Sequence, residues 1–141
     1  MNRPLRIFLD ANILFSAAKS DGAIRSLVTL LLEAGHDLRA DGYVVEEARR
    51  NLLAKQPQAL KEFDGLLKRL SVSTTVVPID PVSRSVLPEK DQWVLAAAAA
   101  LGCDALVTGD RTHFGKFFGR RIAGVRIHSP RSLYEHLFRK A

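Results

Sequence analysis

An alternation of short apolar runs with longer helical patterns constrains the fold of this chain more than any other feature. Leu5–Leu9 carries Ile and Phe in a run short enough for a buried strand. Asp21 precedes a helical pattern of Ile24, Leu27, Val28, Leu31 and Leu32, which Gly35 stops. His36–Ala40 reads as a second strand and Val44–Ala54 as a helix, and Pro57 suits the first turn of a further helix to about Leu70. Ser73–Ile79, rich in Val and Thr, reads as a strand at whose edge or end Pro78 falls. A looser stretch with Pro81 and Pro88 leads to a helix over Asp91–Leu101, ended by Gly102. Ala105–Thr108 and Val125–His128 are two more short strands, and Ser129-Pro130 opens a last amphipathic helix through Leu133, Leu137 and Phe138. Such an order predicts an α/β fold: a mostly parallel central sheet of about five strands, flanked by helices on both faces.

The 141 residues amount to one domain, large enough to bury roughly 68–70% of the unfolded surface without disulfides. The lone Cys103, beside Leu101, Gly102 and Ala105, reads as a small buried side chain and suits a reducing, cytoplasmic setting. No membrane segment is expected: the longest unbroken apolar run, Trp93 to Leu101, falls far short of the roughly 20 residues needed. Asp10 and Asn12 interrupt the N-terminal apolar stretch, as a signal-peptide core would not allow. The five alanines Ala96–Ala100 read as a close-packed helix face.

Charge is unevenly spread. Residues 1–110 hold 13 Lys/Arg against 14 Asp/Glu, whereas residues 111–141 hold 8 against Glu135 alone. All the excess of a chain with net charge +6 therefore follows Asp110. A segment of that kind attracts polyanions, with salt-dependent binding, although a solvated basic surface has the same composition.

Four acids stand where a strand hands over to a helix or a helix begins: Asp10, Glu47, Asp91 and Asp110. In open α/β sheets, ligands bind beyond the carboxyl ends of the strands, and Asp10 and Asp110 both follow predicted strands. Asp91 lies in the first turn of its helix, where the macrodipole favours an anion. If folding gathers them, they repel: two carboxylates roughly 4 Å apart cost about 4 kcal/mol at an effective dielectric near 20. A divalent cation removes that cost. Asp91 alone also reads as a capping carboxylate and Asp110 as a turn residue, whereas Asp10, straight after a buried strand, must find partners or a metal; a helical wheel does not choose between Glu46 and Glu47.

The strand followed by D-A-N-I-L, then E-A-R-R-N-L, D-Q-W-V-L-A-A-A and D-A-L-V-T-G-D-R-T-H-F, resembles a PIN domain. That family comprises metal-dependent ribonucleases, including the VapC-type toxins of bacterial toxin–antitoxin pairs. The resemblance runs from Leu5 to about Leu133, so that 1–141 is expected to be one PIN-like nuclease domain. It implies catalytic and metal-binding roles for Asp10, Glu47, Asp91 and Asp110, and it prefers Glu47, followed by Ala48 and Leu52, over Glu46. Asn12 and Thr108 match polar positions lining the family's site, whereas Asp104 begins a strand and is expected to be structural.

The implied chemistry is hydrolysis of a phosphodiester in single-stranded RNA. Carboxylates suit Mg²⁺ or Mn²⁺, and no Cys/His cluster for zinc is apparent. Arg49 and Arg50 after Glu47, and Arg111, Lys116, Arg120 and Arg121 after Asp110, are candidate phosphate contacts. His113 is a candidate substrate contact or a loop-shaping residue. An antitoxin partner and a homodimer are further implications of the resemblance. Two other readings remain: a non-catalytic RNA- or partner-binding module, and a phosphatase of the haloacid dehalogenase type. The latter uses a second carboxylate where this chain has Asn12.

Overall fold

A computed structural model of the chain describes residues 3–74 and 89–139. Its sheet has six strands: β1 (Arg6–Leu9), β2 (Asp37–Asp41), β3 (Ser71–Ser73), β4 (Ala105–Val107), β5 (Arg121–Ile122) and β6 (Val125–His128). They lie in the order β3-β2-β1-β4-β6-β5, parallel except for β5, which runs antiparallel to β6. The helices are α1 (Ala11–Lys19), α2 (Ala23–Glu33), α3 (Gly42–Lys55), α4 (Leu60–Leu67), α5 (Glu89–Ala100), the short α6 (Arg111–Phe114) and α7 (Pro130–Phe138). Single 3₁₀ turns at Pro57–Ala59 and Gly115–Phe117 lead into or out of them.

The predicted α/β class and the mostly parallel sheet hold, and β1, β2, β4 and β6 fall within a residue of their expected positions. The sixth strand was not expected. It forms because Ala123 (φ 53°) and Gly124 (φ 81°) both take positive φ, the two-residue turn whose twist matches a hairpin. The remaining expected strand begins earlier than Ser73, at Ser71, and ends at Ser73; of its expected span, the part from 75 onward, with Pro78, lies outside the described residues, as do Pro81 and Pro88. His36 is not in a strand; its Nδ1 accepts a hydrogen bond from the Leu5 N–H at 2.9 Å.

The central strands are apolar on both faces because both faces are covered. Ile7, Phe8, Leu9, Leu106 and Val107 are buried, packed with Leu14 of α1, Leu52 of α3, Leu95 of α5 and Leu133 of α7 in one continuous core. Burying each such side chain contributes about 1.5–3 kcal/mol, and Phe8→Ala would cost about 3–5 kcal/mol. Three of the five alanines, Ala96, Ala97 and Ala98, are buried, as a close-packed helix face requires. Cys103 is buried too, and burial pushes its thiol up to about 12, so it is an inert core residue. Among the described residues, no helix is long and apolar enough to cross a membrane.

The chain moves outward from β1 through β2 to β3, then returns to place β4 on the other side of β1. The reversal of winding therefore falls between β1 and β4, and the crevice above their carboxyl ends is the topological switch point.

Candidate active site

Asp10 and Asp110 stand on either side of that crevice. Strand pairing sets Leu9 opposite Val107, and the Asp10 N–H donates to the Val107 carbonyl at 3.0 Å. Asp10 then caps α1, its Oδ1 accepting the Ala11 N–H at 2.8 Å. Its Oδ2 accepts from the Thr108 hydroxyl at 2.7 Å and from the Asn12 amide at 3.3 Å. An ionised carboxylate offers about four lone-pair positions, so three donors leave one directed acceptor for an ion. Asp10 is only 6% exposed. Burial raises its pKa from the ordinary 3.8 to about 6, against the hydrogen bonds of Thr108 and Ala11, and the charges of Glu47 and Asp91 push the same way.

Asn12 and Thr108 are the struts of this corner rather than its open face. The Asn12 amide also donates to Thr108 Oγ1 at 3.3 Å, and its carbonyl accepts the Gly109 N–H at 2.8 Å. Thr108 is fully buried, and its Oγ1 accepts the Asp110 N–H at 3.1 Å. The two strand-end loops are thus bolted together, and a buried hydroxyl cannot reach a substrate. Gly109 admits the close approach: a Cβ there would stand 3.4 Å from Asn12 Oδ1.

Asp110 caps α6, with Oδ1 accepting the His113 N–H at 3.0 Å. The same residue's ring turns inward, and His113 Nδ1 lies 3.0 Å from Asp110 Oδ2 and 2.7 Å from Asp91 Oδ2. Asp91, near the start of α5, is 3% exposed. One ligand atom from each of Asp91, Asp110 and His113 falls within 4.8 Å of the others. Glu47 is half-buried on α3, on the side that Asp10 senses, while Glu46 is exposed. The four sequence-predicted acids therefore share one rim, with His113 among them.

The basic candidates divide. Arg111, next to Asp110 in the chain, is exposed and lines a depression of about 330 Å³ with Gly115, Phe118, Ser129, Arg131 and Glu135; Lys116 is exposed over the Phe117 ring. Arg120 is exposed further along that segment, opposite the middle of β6, where its carbonyl accepts the Ile127 N–H. Arg121 pairs with Arg126 in the hairpin and lines a different pocket with Arg3, Asp104 and the start of β4. That is the amino edge of the sheet, so Arg121 is not beside the acids. Arg49 is drawn toward α4, 3.1 Å from Asp64 and stacked over Phe63; Arg50 is exposed.

Two carboxylates outside the set are structural. Asp104, at the amino edge, accepts from the Arg6 N–H and from Arg3; burial opposes ionisation there, but these donors hold its pKa below the ordinary value. Asp41, which sequence reading passed over, is buried and caps α3 through the Val44 N–H at 3.1 Å. The signal was present in Asp41-Gly-Tyr-Val44, an Asp three residues before the amide it caps.

The family model for the PIN domain matches residues 6–112. No curated protein sequence matches the chain. Among solved structures, VapBC2 from Rickettsia felis bound to a promoter DNA fragment aligns with a TM-score of 0.63 and 16% identity, over 89% of this chain and 98% of that one. DNA-bound VapBC from Salmonella typhimurium aligns with a TM-score of 0.61 and 19% identity, over 89% and 98%. VapC20 from Mycobacterium tuberculosis, described as a sarcin-ricin loop cleaving toxin, aligns with a TM-score of 0.53 and 11% identity, over 75% and 91%. At such identities the likeness is one of fold.

Proposed function

Since the chain belongs to the PIN domain family, we propose that it is a metal-dependent endoribonuclease that hydrolyses phosphodiester bonds of single-stranded RNA. The observation that carries this reading is the convergence of Asp10, Glu47, Asp91 and Asp110, from four different elements, on the switch-point rim. Carboxylates do not gather in a partly buried crevice without a counter-charge. The donor set fits a hard divalent cation, Mg²⁺ or Mn²⁺. The placement of His113 Nδ1 supports the same view: it is buried within hydrogen-bond distance of two carboxylate oxygens, yet makes no aligned hydrogen bond.

In this reading Asp10, Asp91 and Asp110 hold the ion, with Glu47 at the side of the site. When bound, the ion supplies Lewis-acid stabilisation of charge on the phosphoryl oxygens and of the attacking water. The chain supplies the geometry. Thr108 and Asn12 fix the Asp10 carboxylate, and the α6 cap fixes Asp110. Arg111 and Lys116 bind flanking phosphates and bring the scissile group over the crevice. Unstacked RNA suits the arrangement, since a bendable backbone can lie along an open rim.

The solved relatives described as VapBC complexes, and the one described as a cleaving toxin, support the further reading that this chain is the toxin of a toxin–antitoxin pair. It would act in the cytoplasm, with an antitoxin protein and a second copy of itself as partners. The test is cleavage of an unstructured RNA under Mg²⁺ and Mn²⁺ titration. Asp110→Asn is expected to lower the rate by at least a hundredfold while unfolding cooperatively like the parent. Metal-independent cleavage, or an Asp110→Asn rate equal to the parent's, would refute the assignment.

A further inference from the structure

His113 is bound to the rim by its own backbone. Its N–H donates to Asp110 Oδ1 at 3.0 Å, which anchors the residue beside that carboxylate. Part of the side chain stays open, at 41% exposure, while Nδ1 is fully buried between the carboxylates of Asp91 and Asp110. The separations are 2.7 and 3.0 Å, short enough for hydrogen bonds, but the ring N–H direction is aligned with neither oxygen.

That combination of short distance and poor alignment has a physical meaning. Two groups joined by a hydrogen bond point at each other, whereas two ligands of one ion point at the ion. Neighbouring ligands around an octahedral ion with bonds of about 2.1 Å stand about 3.0 Å apart, each aimed about 45° away from the line joining them. The contacts of His113 Nδ1 have that separation and lack the alignment of a hydrogen bond.

Resting on the nuclease reading above, we infer that His113 contributes Nδ1 as a nitrogen ligand to the metal site, alongside Asp91 and Asp110. The centre is then mixed in nitrogen and oxygen. Mg²⁺ takes oxygen ligands and sheds water reluctantly, while first-row transition ions accept imidazole. One nitrogen therefore shifts preference from Mg²⁺ toward the transition ions. The exposed side of the ring leaves Nε2 to solvent, so its N–H is free to donate to water, as a metal-bound imidazole requires.

The probe is Mn²⁺, read without substrate. Electron spin-echo modulation of the Mn²⁺-loaded full chain is expected to show coupling to an imidazole ¹⁴N, replaced by the ¹⁵N pattern when the protein is made with ¹⁵N-histidine. His113→Ala should abolish the coupling. By calorimetry it should weaken Mn²⁺ binding roughly tenfold while changing Mg²⁺ affinity less than about twofold. The labelling experiment needs no substitution, so a poorly folding variant would not block the test. Mn²⁺ bound in the parent, lost in Asp110→Asn, but with no nitrogen coupling would overturn the inference and leave the nuclease reading standing. Mn²⁺ binding indifferent to Asp110→Asn would sink both.

Discussion

Replacing Asp10 by Asn should make the metal-free protein more stable at pH 8 while removing its activity. Asp10 ionises in the fold at about 6 instead of 3.8 because burial opposes its charge. Holding it ionised costs about 3 kcal/mol. The folded state binds the proton more tightly than the unfolded state, so stability rises as pH falls through 6 and the gain is complete below 3.8. Between pH 8 and pH 5 the recovery from this one group is about 1 kcal/mol. Asn cannot ionise, and it loses one acceptor toward Thr108 or Asn12, a pH-independent cost of about 1 kcal/mol. Asp10→Asn is thus expected to gain about 1–2 kcal/mol at pH 8 and to lack that recovery at pH 5. Urea unfolding of both proteins in EDTA at the two pH values measures the difference of differences, which cancels every other titrating group. Identical pH dependence in parent and variant would refute the claim that Asp10 is held ionised at a cost.

Three further outcomes are expected. Burial, with His136 and Arg126 nearby, lowers the pKa of His128 to about 4, so the fold resists its protonation and loses about 2 kcal/mol between pH 8 and 5. His128→Asn should therefore flatten the acid limb of the stability profile, and an unchanged limb in urea titrations would contradict this. Arg111→Ala with Lys116→Ala should reduce the salt slope of RNA binding by about 1.4, at about 0.7 per phosphate on a single strand. Arg121→Ala, at the opposite edge of the sheet, should leave the slope within error in the same filter-binding assay; a matching drop would mean that RNA wraps around that edge.

The parts of the site that were legible in the sequence are those where local pattern fixes position in the sheet. An apolar run such as Ile7-Phe8-Leu9 is a strand buried on both faces, and an acid straight after it must stand at the carboxyl edge. Asp10 and Asp110 were readable on that ground and Asp91 from its place in a first helical turn, whereas Glu47 was separated from Glu46 only by the resemblance. Side-chain direction was not readable. The inward ring of His113 depends on how α6 is capped, and Thr108 turned inward because β4 is central. Arg121 was grouped with the acids on charge density alone. Its true place depends on a turn in which Ala123, a residue that rarely adopts positive φ, carries no signal of its own. Asp41 carries the pattern of an ordinary helix cap, an acid just before a helix, which by itself says nothing of a ligand.

The strand order has a consequence for the chain as it is made. β4 sits between β1, which precedes it in the chain, and β6, which follows it; the Thr108 N–H donates to the His128 carbonyl at 3.0 Å. The corner that seats Asp110 beside Asp10 is therefore complete only once β6 has joined the sheet. A chain that stops short of β6 already carries Asp10, Glu47, Asp91 and Asp110 but lacks the strand that completes their corner, so under the nuclease reading the site stays unfinished until β6 has been made.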